Sequence, residues 1–146
     1  MEEPLGRQLS ITGRVVRDRF DAALNEHGAS LTTWAVLRSA EHEDGLSQRE
    51  LAARLSIESP TLVRHLDRLE EEGLVLRRRD DQDRRIVRIG LTAAGHRRFT
   101  ELREVATSLD AQLRALLDQH EIEILEHALL RIREQWYPDA TLTTRA

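Results

Sequence analysis

Apolar positions fall at helical spacing at both ends of the chain and change rhythm only in the middle. Leu5, Leu9, Val16, Phe20 and Leu24 keep to one side of a helix that His27-Gly28 ends. Thr32 is placed to cap a second helix, with Trp34, Val36 and Leu37 as its buried positions and Glu43-Asp44-Gly45 as its close. Ser47 and Glu50 form an S-x-x-E box ahead of Leu51-Ala52, which leaves about nine helical residues before Ser56. Ser59-Pro60 then sets a cap residue before a proline at the first helical position. The helix it opens stops at Gly73. Leu74–Arg79 and Arg85–Thr92 are short runs rich in Leu, Val and Ile, joined by the polar turn Asp80–Arg84; they read as a β-hairpin. From Thr92 to Gln119 the pattern is helical again. Phe99, Leu102, Ala106, Leu109, Leu113 and Leu116 alternate steps of three and four, a coiled-coil-like seam. Asp118 and Glu121 can cap a last helix whose stripe is Ile122, Leu125, Leu129, Ile132 and Trp136.

Two short helices joined by a tight turn make a helix-turn-helix. Followed by a hairpin, they have the layout of a winged helix. The expected fold is therefore mainly α (α+β), a winged helix-turn-helix with long N- and C-terminal helices. Residues 29–99 form the lobe, and residues 1–28 and 100–146 a helical dimerisation region of the same intertwined domain. The terminal helices carry more apolar stripe than so small a lobe can cover. Leu5, Leu9, Leu109, Leu113, Leu116, Ile122, Leu125, Leu129 and Ile132 are expected to pack against a second copy. A monomeric helical bundle is the alternative.

Composition narrows the chemistry. With 146 residues the chain fits one domain, and 40% apolar but only 3% aromatic residues imply a core of Leu, Ile, Val and Ala. The absence of cysteine excludes disulfides, thiolate nucleophiles and Cys-ligated metals. No apolar run approaches bilayer length and no signal-peptide pattern opens the chain, so the expected location is the cytoplasm, without membrane contact. Every one of the 22 basic residues is Arg, a planar fork suited to phosphate, carboxylate or guanine edges. The net charge of −4 does not advertise nucleic-acid binding. Residues 46–92 alone are slightly positive, with ten Arg against nine acids. Any DNA contact must come from placement on one surface.

That placement is legible. On a helix over 59–72, Leu62, Leu66 and Leu69 share one face, while Thr61, Arg64, His65 and Arg68 lie within roughly 100° of one another on another. A B-DNA major groove admits such a helix, and Arg is the commonest reader of guanine. The N-terminal part of a recognition helix meets base edges. Arg64 is the leading candidate for a base contact, with Ser59, Pro60 and Thr61 beside it and Arg68 either on phosphate or paired with Glu71 or Glu72. At the hairpin tip, Asp83 lies two residues before Arg85 and can hold its guanidinium in one orientation. A narrow minor groove attracts inserted Arg. Asp83, Arg84, Arg85 and Arg88 make the wing set, and Arg77, Arg78 and Arg79 can neutralise phosphates. Asp67 is a further carboxylate able to order an arginine. Acid residues also favour turns in their own right.

Pro60-Thr61-Leu62-Val63-Arg64, Leu66-Asp67-Arg68-Leu69-Glu70, Gly73-Leu74, Asp83-Arg84-Arg85 and Leu91-Thr92 together resemble the MarR family of winged-helix regulators, closest to its SlyA branch. Pro4-Leu5-Gly6 and Thr32-x-Trp34 match that branch as well. His65 departs from it, standing where a small hydroxyl residue is common. The resemblance implies an obligate homodimer on pseudo-palindromic double-stranded DNA, probing successive major grooves with Arg85 in the flanking minor groove, most simply as a repressor. It further implies release by a small aromatic carboxylate or phenolic effector, near Thr32, Trp34, Arg38 and His65. Arg14 and Arg17, three residues apart on the first helix, can point at one anion; pairing with Asp18 or Asp21 is the alternative.

His120, Glu123 and His127 share a helical face but lie opposite the Ile122–Leu125–Leu129 stripe, and two histidines seven residues apart are too distant for one ion without an intervening ligand. No metal and no cofactor are expected. Nothing supports an enzyme: there is no Gly-rich phosphate loop, nucleophile motif or H-E-x-x-H. A helical adaptor that binds only protein is the remaining alternative. Salt separates the two, because binding through phosphates weakens steeply as salt rises.

Overall fold

The computed structural model describes residues 3–41 and 45–136. The first helix, α1 (Leu5–Glu26), ends at His27, and Gly28 takes a positive φ of 68°. Helix α2 (Leu31–Ala40) follows α1 after four residues. Its cap is Ser30, whose hydroxyl accepts the Thr33 N–H at 3.1 Å, so Thr32 sits inside the first turn and does not cap it. Asp21 of α1 reaches across and accepts the Leu31 N–H at 2.9 Å. That long-range acceptor satisfies a helix-start donor no local rule would assign. Glu43 and Asp44, expected to close α2, lie outside the described residues; α2 itself ends at Ala40.

Strand β1 (Leu46–Ser47) runs straight into α3 (Gln48–Leu55). The Ser47–Glu50 box forms both of its bonds, at 3.1 and 2.8 Å. Ser56 adopts the left-handed conformation (φ 51°) that stops α3. Helix α4 (Ser59–Glu71) then begins one residue earlier than expected: Glu58 is the cap position, without a side-chain cap bond, and Pro60 falls in the first turn. Proline costs nothing there because its missing N–H has no helical partner. Leu62, Leu66 and Leu69 of α4 are fully or almost fully buried, as their spacing requires.

The hairpin consists of β2 (Val75–Arg79) and β3 (Val87–Leu91), antiparallel with Arg77 opposite Ile89. The second strand starts at Val87, so Arg84, Arg85 and Ile86 belong to the turn. β1 pairs with the other side of β3, which gives a three-stranded sheet in the order β1-β3-β2. Two residues carry no periodicity, and β1 was not expected from the sequence.

Thr92 joins sheet to helix. Its hydroxyl donates to the Gly73 carbonyl at 2.6 Å and accepts the Gly95 N–H at 3.0 Å, opening α5 (Ala93–Arg114). The seam expected to continue to Gln119 breaks at Ala115–Leu117. There Asp118 accepts the Glu121 N–H at 2.9 Å and donates its own to Glu121 at 2.8 Å. This reciprocal cap starts α6 (Gln119–Trp136), so Leu116 lies in the turn between the helices.

The chain divides into two compact units, residues 1–106 and 107–146. The core of the first unit draws Leu24 from α1 and Phe99 and Leu102 from α5, together with Val36, Leu37, Leu51, Leu62, Leu66 and Ile89. That core draws on residues on both sides of the 29–99 segment. In the second unit α6 buries none of its side chains. Ile124, Leu125, Leu129, Leu130 and Trp136 are exposed. No helix among the described residues is long and apolar enough to cross a membrane.

Candidate nucleic-acid interface

Burying the leucine stripe of α4 turns its opposite face outward. Ser59, Pro60, Thr61, Arg64 and Arg68 are exposed and His65 is half-buried. Arg68 is paired with Glu72, Nε to Oε1 at 3.0 Å. Arg64 makes no hydrogen bond or ion pair within the described residues, and so keeps all its donors for an outside partner.

The wing is organised from the inside by Asp80. One of its oxygens accepts the N–H groups of Gln82 (2.9 Å) and Asp83 (3.0 Å), and the other accepts Nε of Arg88. The Arg88 pair, followed by these two amides, holds the Asp80 carboxyl down at about 2. The turn closes with the Asp80 N–H on the Ile86 carbonyl at 2.9 Å. Arg88 also donates to the Gly45 carbonyl at 3.3 Å. Gly45 has a φ of 61°, and a Cβ there would come within 2.8 Å of the Ile89 carbonyl oxygen. Arg88, expected among the DNA contacts, is thus engaged inside the wing. Asp80 and Gly45 are the residues that sequence reasoning missed, although the D-x-x-D spacing at Asp80 and Asp83 was a usable signal.

At the tip, Asp83 accepts both the backbone N–H and Nε of Arg85 at 3.0 Å on one oxygen, and Nη2 at 2.9 Å on the other. This pairing lowers the pKa of Asp83 and raises that of Arg85. The Arg85 side chain is nonetheless 91% exposed. It is a charged fork, oriented yet open to solvent. Arg84 is exposed beside it, and its carbonyl accepts Nη1 of Arg79 at 3.1 Å. Arg78 is exposed, whereas Arg77 is tied to Asp67 and Glu70 of α4.

The residues expected at an effector site are distributed differently. Arg14 and Arg17 are exposed on α1, and Arg14 lies 3.7 Å from Asp18. Trp34 belongs to the core. Its ring stacks on Phe99 (centroids 5.3 Å, 16° between planes) and meets the edge of Phe20 at 6.0 Å. Neither neighbour leaves it as an open aromatic platform. Thr32 is half-buried and Arg38 exposed. A cavity of about 770 Å³ lies elsewhere in this unit, beneath the wing, lined by residues such as Glu41, Leu76, Arg79, Asp80, Arg88 and His96. His120, Glu123 and His127 are exposed, and Glu123 accepts a bond from Gln119 at 2.9 Å. No group of three or more His, Asp or Glu among the described residues is placed to hold a metal ion.

A sequence model of the MarR family matches residues 29–87. Among solved structures, the chain is similar to the transcriptional regulator PA3341, 35% identical over 90% of this chain and 97% of that one, with a TM-score of 0.79. It is also similar to a mutant MarR from E. coli complexed with operator DNA, at 26% identity, 88% and 93% coverage and a TM-score of 0.77. A third similar structure is a Mycobacterium tuberculosis MarR family protein, RV2887, in complex with p-aminosalicylic acid: 28% identity, 89% and 98% coverage, TM-score 0.72.

Proposed function

This chain belongs to the MarR family of winged-helix, DNA-binding transcriptional regulators, and we propose that it acts as a homodimeric repressor of the SlyA type on a pseudo-palindromic operator. The observation that carries this reading is the oriented Arg85 fork on a wing beside a recognition helix whose Arg64 is uncommitted. Arg64 reads a base edge in the major groove, flanked by Ser59, Pro60, Thr61, His65 and Arg68. Arg85 enters the adjacent minor groove with Arg84 on the backbone, while Asp83 and Arg88 order the wing. The E. coli relative complexed with operator DNA supports this use of the fold.

The apolar faces of α5, α6 and the first half of α1 supply the dimer contact. Leu5, Leu113, Leu125 and Leu129 are exposed in the single chain, and Leu9, Leu109, Ile122 and Ile132 are half-buried. A dimer sets the two α4 helices about one turn of B-DNA apart, roughly 34 Å, so a small change in spacing releases the operator. The relative complexed with p-aminosalicylic acid supports an aromatic carboxylate or phenol as the releasing effector. Arg14 and Arg17 are the anion partners offered here, with Thr32, Arg38 and His65 as the surrounding residues.

The test is binding of wild type, Arg64→Ala and Arg85→Ala to DNA from the gene's own upstream region across a salt series. Each variant should lose on the order of tenfold or more in affinity, and the wild-type affinity should fall steeply with salt. Equal binding by all three proteins would overturn the contact assignment.

A further inference from the structure

The recognition helix and the wing enter different grooves, so their mutual angle must be right before either can bind well. Two residues, Gly73 and Leu74, connect α4 to β2 after Glu72 caps the helix, and Gly73 has a φ of 71°. Leu66 and Leu69 of α4 and Val75 of β2 are all buried in the same apolar core. Such contact is strong but non-directional. The directional link is ionic. Arg77 donates its backbone N–H to Glu70 Oε1 at 3.3 Å, and its Nε and Nη2 to Glu70 Oε2 at 3.1 and 2.7 Å. Nη2 also reaches Asp67 Oδ1, one helical turn earlier. β2 is an edge strand of the sheet, so the Glu70 carboxylate satisfies a main-chain donor that has no strand beside it.

Of the three arginines in a row, only Arg77 turns this way; its side chain is 24% exposed, while Arg78 and Arg79 are exposed residues. Asp67 and Glu70 lie on the flank of α4, off the face that carries Thr61, Arg64 and Arg68. Both carry negative charge on the helix assigned to DNA recognition. A carboxylate pair costs electrostatic affinity for DNA unless it does something else.

We propose that Arg77 is a positioning residue for DNA recognition: clamped by Asp67 and Glu70, it fixes the wing at one angle to the recognition helix. This rests on the assignment of α4 and the wing as the DNA-contacting elements. The strut acts by removing orientational freedom before binding, so docking two elements does not have to order them. Half-exposed ion pairs contribute little to folding stability, so breaking this one should leave a folded protein.

Two experiments test it. In the first, operator affinity is measured at several salt concentrations for Arg77→Met, for the double variant Asp67→Asn/Glu70→Gln, and for the charge-exchanged Glu70→Arg/Arg77→Glu. Arg64→Ala serves as the control for direct contact. A strut predicts that Arg77→Met binds on the order of tenfold more weakly, with an unchanged slope of log affinity against log salt. It also predicts that Asp67→Asn/Glu70→Gln binds more weakly, although it removes two negative charges and bulk electrostatics would make it tighter. The charge exchange should recover part of the loss. If the double variant binds as well as wild type or better, the proposal fails. It also fails if Arg77→Met lowers the slope by about 0.9, the signature of one lost phosphate contact. Normal binding by Arg64→Ala would sink the contact assignment instead.

The second experiment uses no DNA. The chain has no cysteine, so spin labels on Glu71→Cys and Asp81→Cys, both exposed positions, report the distance from α4 to the wing in otherwise unlabelled dimers. The distribution should be narrow in the parent and broad with Arg77→Met. An equally narrow distribution in both overturns the strut whatever the DNA result.

Discussion

Asp83 grips Arg85 with both carboxylate oxygens, at 3.0 and 2.9 Å, while leaving the guanidinium almost wholly exposed. A pair so exposed does little for stability. Its effect is to choose one rotamer for a long side chain before a partner arrives. Asp83→Asn should therefore leave the melting temperature within error of wild type and weaken operator binding, although it removes a negative charge from the DNA-facing tip. Arg85→Ala should weaken binding more. Tighter binding by Asp83→Asn would show that the carboxylate acts only as a repelling charge.

Asp80 makes a pH prediction. Its carboxyl is held near 2 instead of the ordinary 3.8, chiefly by Arg88 and then by the Asp83 and Gln82 amides. A carboxylate with a lowered folded pKa stabilises the wing fully above its unfolded value. That contribution fades as pH falls from about 3.8 through about 2. Wing order should not change between pH 7 and 5. The carboxyl carbon of Asp80, followed by NMR, should titrate near 2 in wild type and move back toward 3.8 in Arg88→Met. An ordinary midpoint in wild type would mean that the Asp80–Arg88 bond does not persist in solution.

The helix-turn-helix was legible because its determinants are local. The Ser47–Glu50 box and the Leu62–Leu66–Leu69 stripe act within a few residues of themselves and form as read, while Pro60 falls in the first turn one position later than read. What escaped the sequence depends on groups distant along the chain. Asp21 supplies the α2 start, ten residues before Leu31. β1 exists because Ile89 and Arg88 offer it an edge. The seam of α5 keeps its spacing through Leu113 and Leu116, but the Asp118–Glu121 cap ends that helix first. At the site, the Asp83–Arg85 pair was visible because its members lie only two positions apart. The Arg77 clamp was not, since a run of three arginines does not say which one the strand turns toward α4. Trp34 looked equally suited to a ligand or a core, and only Phe20 and Phe99 decide for the core.

Gly95 tests how closely α5 rides over the start of the hairpin. A Cβ built there would lie 2.0 Å from the Leu74 carbonyl oxygen and 3.3 Å from Cβ of Leu91. The obstructing atom is backbone, which cannot swing aside as a side-chain end can. Gly95→Ala should cost about 1–3 kcal/mol through forced displacement, despite alanine's better helix propensity. Ala94→Gly, at the neighbouring half-buried position, should cost only the propensity difference, about 1 kcal/mol. Chemical denaturation of both variants checks this. A more stable Gly95→Ala would mean that the helix sits farther from Leu74 than described.

The last prediction concerns α6, which has 18 residues and buries none of them in the single chain. Most of a helix's stability in a protein comes from packing of its amphipathic face rather than from propensity. Leu125 is 44% and Leu129 37% exposed, one turn apart on the same stripe. Apolar area removed from water contributes roughly 25 cal/mol per Å², and a second copy of the stripe is the covering the chain itself can provide. Wild type should therefore sediment at twice the chain mass at micromolar concentration. Leu125→Arg/Leu129→Arg should shift it to a monomer of lower helix content, because charges on that stripe must otherwise be buried unpaired. Operator binding should fall at the same time, since a lone lobe keeps its Arg64 and Arg85 contacts to one half-site but loses the linked second site. A wild-type protein that is a well-folded monomer throughout the concentration range would overturn the dimer, and would point to intramolecular packing as the cover for α6.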